Sequence, residues 1–327
     1  MVRPNRRSFL KTALAPMLLG AEGSPLRGAQ GPPSSPTFIA TWKQGLPTVN
    51  RAAEVLNGGA TLLDAVEKGI NVAELDPEVT SVGYGGLPNQ DGVVELDAAI
   101  MDGARHRSGA VCSLHNIRTP ISVARQVLEK TSHTTLAGQG AFQFALKTGF
   151  KPQPLHTATS LTRWEQWKAD PGRKSFWLSE ENHDTIGLVG IDGRGNTVSG
   201  CSTSGLAWKI AGRVGDSPLV GCGVFADNNA GAASATGDGD LMTNYCTSVR
   251  IVDFMRGGLA PQEACMEMLR FMNRVDPATR RGAIAVLAIN LRGEVGAACM
   301  NPGFALKVAV WKSGRSEMRD GAILHPG

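Results

Sequence analysis

The order of elements in this 327-residue chain predicts an α+β fold with a sheet-on-sheet core and helices outside. Three observations point there. Strand and helix patterns alternate through the first half. A hairpin pattern opens the second half, and helices followed by strands close it. Forty glycines fit tight turns and closely packed backbone. With 42% apolar and 19% charged residues the chain is globular, with length for one large domain or two smaller ones.

The N-terminus reads as an address. Asn5-Arg6-Arg7-Ser8-Phe9-Leu10-Lys11 is a twin-arginine pattern, and the apolar stretch Thr12 to Gly20 after it is too short to span a bilayer. Residues 1–36 are therefore expected to be an export signal and flexible segment that send the protein to the periplasm. The competing reading is a flexible basic tail. The net charge of +4 sits mainly here, in Arg3, Arg6, Arg7, Lys11 and Arg27 against Glu22. The remainder is nearly neutral and has no basic stripe interleaved with aromatics, so no nucleic-acid partner is expected. No other apolar run is long enough for a membrane helix.

Ordered structure is expected from Thr37. Phe38–Trp42 reads as a strand. Val49, Ala52, Ala53 and Leu56 recur at helical spacing, and Gly58-Gly59 stops that helix. Thr61 with Asp64 makes a capping box for a helix to Leu75. Val93–Met101 and Gly109–His115 read as strands, Thr119-Pro120 opens a helix with Thr as cap, and another runs through Phe142 to Lys147. Lys151 to His183 has three prolines, Trp164, Trp167, Trp177 and mixed charge; it reads mainly as a surface linker with a helical turn at Trp164–Lys168. Thr185–Ile191 and Thr197–Thr203 are the arms of a hairpin around Asp192–Asn196. A glycine-rich region, Gly205 to Gly239, follows. Helices are expected at Leu241–Met255 and Pro261–Asn273, then strands at Ala283–Asn290, Val295–Met300 and Ala305–Trp311.

The hairpin carries the chemistry. A turn centred on Arg194 sets Thr185 opposite Thr203. By itself that is an ordinary cross-strand threonine pair. The preceding residues, His183-Asp184, lie where the linker meets the strand. A cut before Thr185 would free an α-amine, which ordinarily titrates at about 7.7–8.0. Such an amine can take the proton of its own hydroxyl and so supply the base a threonine nucleophile lacks. A flexible segment ending at a rigid strand tolerates such a cut.

Three further stretches sharpen this reading. His183-Asp184-Thr185-Ile186-Gly187, Gly212-Arg213-Val214-Gly215-Asp216-Ser217-Pro218 and Ala235-Thr236-Gly237-Asp238-Gly239, taken in order, resemble the glycosylasparaginases (aspartylglucosaminidases) of the N-terminal-nucleophile hydrolases. Trp42 and Ser81-Val82-Gly83-Tyr84-Gly85-Gly86 also match. The resemblance runs from about Thr37 to the C-terminus, weakest in the linker. It implies a four-layer αββα sandwich, residues 37–184 as one subunit with a disordered C-terminal linker, and 185–327 as a second that begins at the nucleophile. Thr185 would attack the Asp184 carbonyl, shift the acyl group from nitrogen to oxygen and let water cleave the ester, leaving His183-Asp184 at the end of the first subunit.

The resemblance also assigns roles. Thr203 bonds the nucleophile, and Thr236 with the Gly237 amide forms the oxyanion hole. Arg213 clamps the substrate α-carboxylate, for which its forked donors suit, and Asp216 takes the α-ammonium. On a loop, Arg213 and Asp216 could instead simply pair with each other. Trp42 resembles a pocket wall, although tryptophan is often simply core. Ser81 resembles a lining residue, although serine in a glycine-rich turn often only satisfies backbone. The implied substrate is asparagine linked to N-acetylglucosamine, and the implied assembly is two copies of each subunit.

Within the family, isoaspartyl peptidases and plant-type asparaginases share the nucleophile but typically have Gly before it; Asp184 favours glycosylasparaginase. From another class, a periplasmic amino-acid-binding protein would keep Arg213 and Asp216 and never be cut. The histidines (His106, His115, His133, His156, His183, His325) show no ligand spacing, and Asp238-Gly239-Asp240 is too short for a calcium loop. No metal or cofactor is expected. The six cysteines form no Cys-x-x-Cys motif; they are buried thiols, or some pair in an oxidising compartment.

Overall fold

The computed structural model describes residues 33, 35–172 and 185–326. In chain order, the elements before the second threonine motif are β1 (Thr37–Thr41), α1 (Gly45–Asn57), α2 (Leu62–Leu75), β2 (Leu96–Asp102), β3 (Arg107–Leu114), α3 (Pro120–Lys130), β4 (Thr135–Ala137), α4 (Gly138–Lys147) and α5 (Ala158–Ala169). From Thr185 onward come β5 (Ile186–Ile191), β6 (Thr197–Thr203), β7 (Val224–Asp227), β8 (Gly231–Gly237), α6 (Gly239–Tyr245), α7 (Thr247–Arg256) and α8 (Pro261–Val275). The chain closes with β9 (Ile284–Asn290), β10 (Val295–Cys299), β11 (Lys307–Lys312), β12 (Arg315–Asp320) and β13 (Ala322–Ile323).

The strands form two sheets. One has the order β12-β11-β1-β5-β6-β2-β3-β4, the other β13-β10-β9-β8-β7. Pairing is antiparallel except at β3–β4 and β10–β13. Alternation along single strands explains the layering, because successive side chains leave opposite faces. Phe38 and Ala40 of β1 join Val49, Ile70 and Ile121 of α1–α3 in one core. Ile39 between them points the other way, into a core shared with Ala232, Leu287 and Ile289. Ala233, Ala235 and Val286 meet Ile251 and Met268 of α7 and α8. The fold is therefore a four-layer αββα sandwich, with α1–α3 on one side and α7–α8 on the other.

Local signals explain several element ends. Thr61 and Asp64 make the capping box, with Asp64 N donating to Thr61 Oγ1 at 3.1 Å and Thr61 N to Asp64 Oδ2 at 2.9 Å. The expected cap on α3 is corrected. Thr119 holds the position, but its side chain makes no cap bond. The Ile121 amide instead donates to Glu74 Oε1 at 2.9 Å. The stretch read as linker is also corrected in part. Thr157 and Ser160 cap α5 reciprocally, and Trp164 and Trp167 pack beside Leu87 and Trp208. The expected helix Leu241–Met255 breaks in two at Cys246, whose φ is +47°.

Glu74 of α2 ties α2 and α3 to β6 of the first sheet. Its carboxylate is fully buried and accepts from Asn71 Nδ2 at 2.8 Å, the Ile121 amide and Ser202 Oγ at 2.7 Å. Burial pushes its pKa up to about 7 against those bonds. Removing the carboxylate strands three donors. We expect Glu74→Ala to lose about 3–5 kcal/mol of stability, read by urea unfolding, and Glu74→Gln to lose clearly less. Equal losses would mean that neither the retained volume nor one amide oxygen suffices, and that the second carboxylate oxygen is what this position needs.

Candidate active site

The β5–β6 ladder pairs Ile186 with Ser202. Continuing that register by one residue sets Thr185 opposite Thr203, as the hairpin spacing anticipates. Both are 5% exposed. Thr185 is held from behind by Thr41 of β1, which sequence reading passed over in favour of Trp42. The Thr41 hydroxyl donates to the Thr185 carbonyl at 2.7 Å and accepts from the Gly187 amide at 2.9 Å. Gly187 must lack a side chain, because a Cβ there would meet Ser234 of the facing sheet. Thr41→Val keeps the shape and strands both backbone groups. We expect a loss of about 1–3 kcal/mol, and a Tm lower by several degrees in calorimetry.

A cavity of about 10 Å³ is lined by Thr185, Thr203, Arg213, Asp216 and Gly237 among others. That is about the room of one water. Thr236 is fully buried and follows Ala232 and Ser234 on the face of β8 turned toward the first sheet. Gly237 has φ +117°, and a Cβ there would run into the Ala283 carbonyl. The chain then turns, the Asp238 amide donates to Ala283 O at 2.6 Å, and Asp238 caps α6.

Arg213 and Asp216 do not form a hydrogen-bonded pair. Arg213 reaches exposed Asp240 at 3.0 Å, while its Nε is buried without a partner. Asp216 is 3% exposed and its Oδ2 likewise lacks a partner. Burial pushes the Asp216 pKa up to about 7, opposed by nearby Arg213 and reinforced by Asp238 and Asp240. Both residues thus line one small cavity, and each carries a buried polar atom without a partner. This is the chemistry an α-ammonium and an α-carboxylate would satisfy.

The remaining named residues stand at the margins. Ser81 lines an adjoining cavity of about 140 Å³ that shares Gly205 with the first. Its carbonyl accepts from Thr203 Oγ1 at 3.3 Å and from the Ser204 amide at 2.7 Å. Trp42 follows β1 with φ +62°, its ring 5.0 Å from Phe304 in an edge-on stack. Phe304 in turn lies against Gly237. Positive φ in so bulky a residue is strained. The Trp42 Nε1 is buried without a hydrogen-bond partner. His183 and Asp184 lie outside the described residues.

Sequence reasoning missed the buried charges beneath the Arg213 loop. The Gly212 amide donates to both oxygens of Glu95, at 2.9 and 3.1 Å. His115 Nε2 stands 3.6 Å from the same carboxylate. Lys209, 2% exposed, sits 3.8 Å from fully buried Asp97. Burial drives the Asp97 pKa up and the Lys209 pKa down. Nothing in the sequence distinguishes these residues from solvated charges, because only the folded sandwich buries them. Among the described residues, no cluster of His, Cys, Asp and Glu gathers around a metal position.

Two stacked sheets between helix layers, with a buried threonine at the start of a central strand, define the N-terminal-nucleophile hydrolase class. The asparaginase family profile matches residues 39–316, and the chain belongs to that family. It is 42% identical, over 96% of its length and 94% of the relative's, to a protein of Elizabethkingia miricola named N(4)-(beta-N-acetylglucosaminyl)-L-asparaginase. Proteins of the same name from Rattus norvegicus and Mus musculus are 38% and 37% identical, each over 90% of this chain and 91% of the relative.

Proposed function

We propose that this chain cleaves the amide between N-acetylglucosamine and the side chain of asparagine, after cutting itself before Thr185. The observation that carries this reading is the cavity joining Thr185, Thr203 and Gly237 to an unmet Asp216 oxygen and the Arg213 guanidinium. The names of the relatives support the choice of linkage.

In the precursor, the Thr185 hydroxyl attacks the Asp184 carbonyl and the resulting ester is hydrolysed. The freed α-amine of Thr185 then accepts the hydroxyl proton. The Thr185 oxygen attacks the side-chain amide carbon of the substrate. Thr236 and the Gly237 amide hold the oxyanion, a contribution typically worth about 10²–10³ in rate per donor. The amine nitrogen leaves as a glycosylamine after taking a proton from the Thr185 ammonium. Water attacks the β-aspartyl ester, releases aspartate and restores the hydroxyl. Arg213 turns from its exposed partner Asp240 to the substrate carboxylate, an exchange favoured because surface pairs are weak. Asp216 receives the substrate ammonium, so a free amino-acid end is required. Export by the twin-arginine route to the periplasm, and assembly of two copies of each subunit, complete the proposal. Among the described residues no helix is long and apolar enough to cross a membrane.

The deciding experiment is intact mass with N-terminal sequencing of the purified protein, alongside assay of N-acetylglucosaminyl-asparagine and β-aspartyl dipeptides. Two chains, one starting Thr185-Ile186-Gly187, with release of aspartate from the glycosylated substrate, is the expected result. A stable single chain that binds aspartate without turnover would replace the hydrolase with a binding role.

A further inference from the structure

Two thiols meet beside the strand that carries Thr236 and Gly237. Cys222 ends the loop that begins at Asp216, where its amide donates to Leu219 O at 2.9 Å and the Gly223 amide donates to Asp216 O at 3.1 Å. Cys246 is the left-handed residue between α6 and α7. Both sulfurs converge on the Thr243 carbonyl oxygen, Cys222 Sγ at 3.7 Å and Cys246 Sγ at 3.8 Å. The two thiols are near enough for Cys246 to raise the Cys222 pKa further.

The backbones around them are already docked. Cys222 O accepts from Ser248 Oγ at 2.6 Å and from the Ser248 amide at 3.2 Å, and Gly221 O accepts from the Val249 amide at 3.0 Å. Bridging the sulfurs therefore asks for side-chain rotation with little backbone travel. The pair is asymmetric. Cys246 is exposed, whereas Cys222 is 7% exposed and burial, then its neighbour Cys246, push its thiol up to about 12. Cys112, Cys201, Cys265 and Cys299 are buried and have no thiol among the groups that perturb them.

We propose that Cys222 and Cys246 are a disulfide-forming site that staples α6 to the Asp216 loop when the protein meets a disulfide oxidant. Exposed Cys246, as thiolate, attacks one sulfur of the oxidant and expels the other as a thiol. Cys222 gives its proton to solvent and attacks the Cys246 sulfur of the mixed disulfide, expelling the second thiol. The protein loses two protons and two electrons, and the oxidant becomes two thiols. The closed segment of about 25 residues contains β7, β8 and all of α6, and so restrains both the Asp216 loop and the Thr236-Gly237 turn.

The test uses the purified full protein treated with oxidised glutathione, then peptide mapping without reductant and a thermal melt. The expected result is one linked peptide pair joining Cys222 to Cys246 and a Tm higher by roughly 5 °C. The gain should vanish with reductant and be missing from Cys246→Ser, an exposed substitution that leaves the core untouched. Alkylation of both thiols after oxidation, a glutathione adduct on Cys246 without an internal link, or a link to any other cysteine would overturn the site. A Cys222–Cys246 link that leaves the Tm unchanged would overturn its role as a staple.

Discussion

Replacing Thr185 with alanine leaves one uncut chain and amidase activity at background. In the proposed mechanism one hydroxyl performs both reactions, on the Asp184 carbonyl of the precursor and then on the substrate amide, and the methyl of alanine could do neither. The variant should nevertheless fold. Thr41 bonds the Thr185 carbonyl and the Gly187 amide, not the Thr185 side chain. A melt within about 1 kcal/mol of the parent is expected, as for most substitutions that break no buried network. Thr185→Ser keeps the hydroxyl, so it should still be cut and still turn over, more slowly. The checks are gel mobility, intact mass and aspartate release. An alanine variant that is cut normally would take the nucleophile away from Thr185.

Replacing Asp216 with asparagine should lower kcat/KM by about 10²–10³-fold while making the protein more stable at neutral pH. The loss is expected because the variant removes the charge proposed to meet the substrate ammonium in a small buried cavity. The gain follows from linkage. Burial raises the Asp216 pKa to about 7 in the folded chain, above the ordinary aspartate value of about 3.9 in the unfolded chain. Between those values the folded chain binds more protons than the unfolded one, so Asp216 costs stability progressively as pH rises. Its penalty is absent below about pH 4 and full above about pH 7, on the order of 4 kcal/mol. The variant should therefore match the parent at pH 3.5 and exceed it at pH 8, in chemical unfolding at both values. The same ionisation shapes catalysis. On the proposed mechanism kcat/KM of the parent should fall on the acid side as Asp216 is protonated near pH 7. The asparagine variant should lose the Asp216 part of that fall. An unchanged pH profile would remove Asp216 from substrate recognition.

Where the sequence reading succeeded and where it failed has one physical pattern. The β1, β5 and β9 strands carry apolar residues on both faces, and their patterns are visible because each lies between two cores. The region Gly205–Gly239 read only as glycine-rich, yet it contains β7 and β8. Gly231-Ala-Ala-Ser-Ala-Thr-Gly237 has no β-branched or aromatic run to mark a strand. Its small residues are what let the two sheets close, as the Gly187–Ser234 approach shows. The feature that makes β8 fit is the one that hides it. The helix break at Cys246 was equally invisible, since neither Gly nor Pro marks it.

By itself the sequence determined the alternation of elements, the hairpin register that sets Thr185 against Thr203, and the three short motifs that mark the family. These are local properties, written in spacing along the chain. Only the tertiary structure decided which charges lose their water. It leaves Asp216 with an unmet oxygen, turns Arg213 toward Asp240, and buries Glu74, Asp97 and Lys209. It brings Thr41 to the back of Thr185 from 144 residues away. Burial and long-range contact depend on how layers stack, and stacking is a property of the whole packed chain, so no single segment records it.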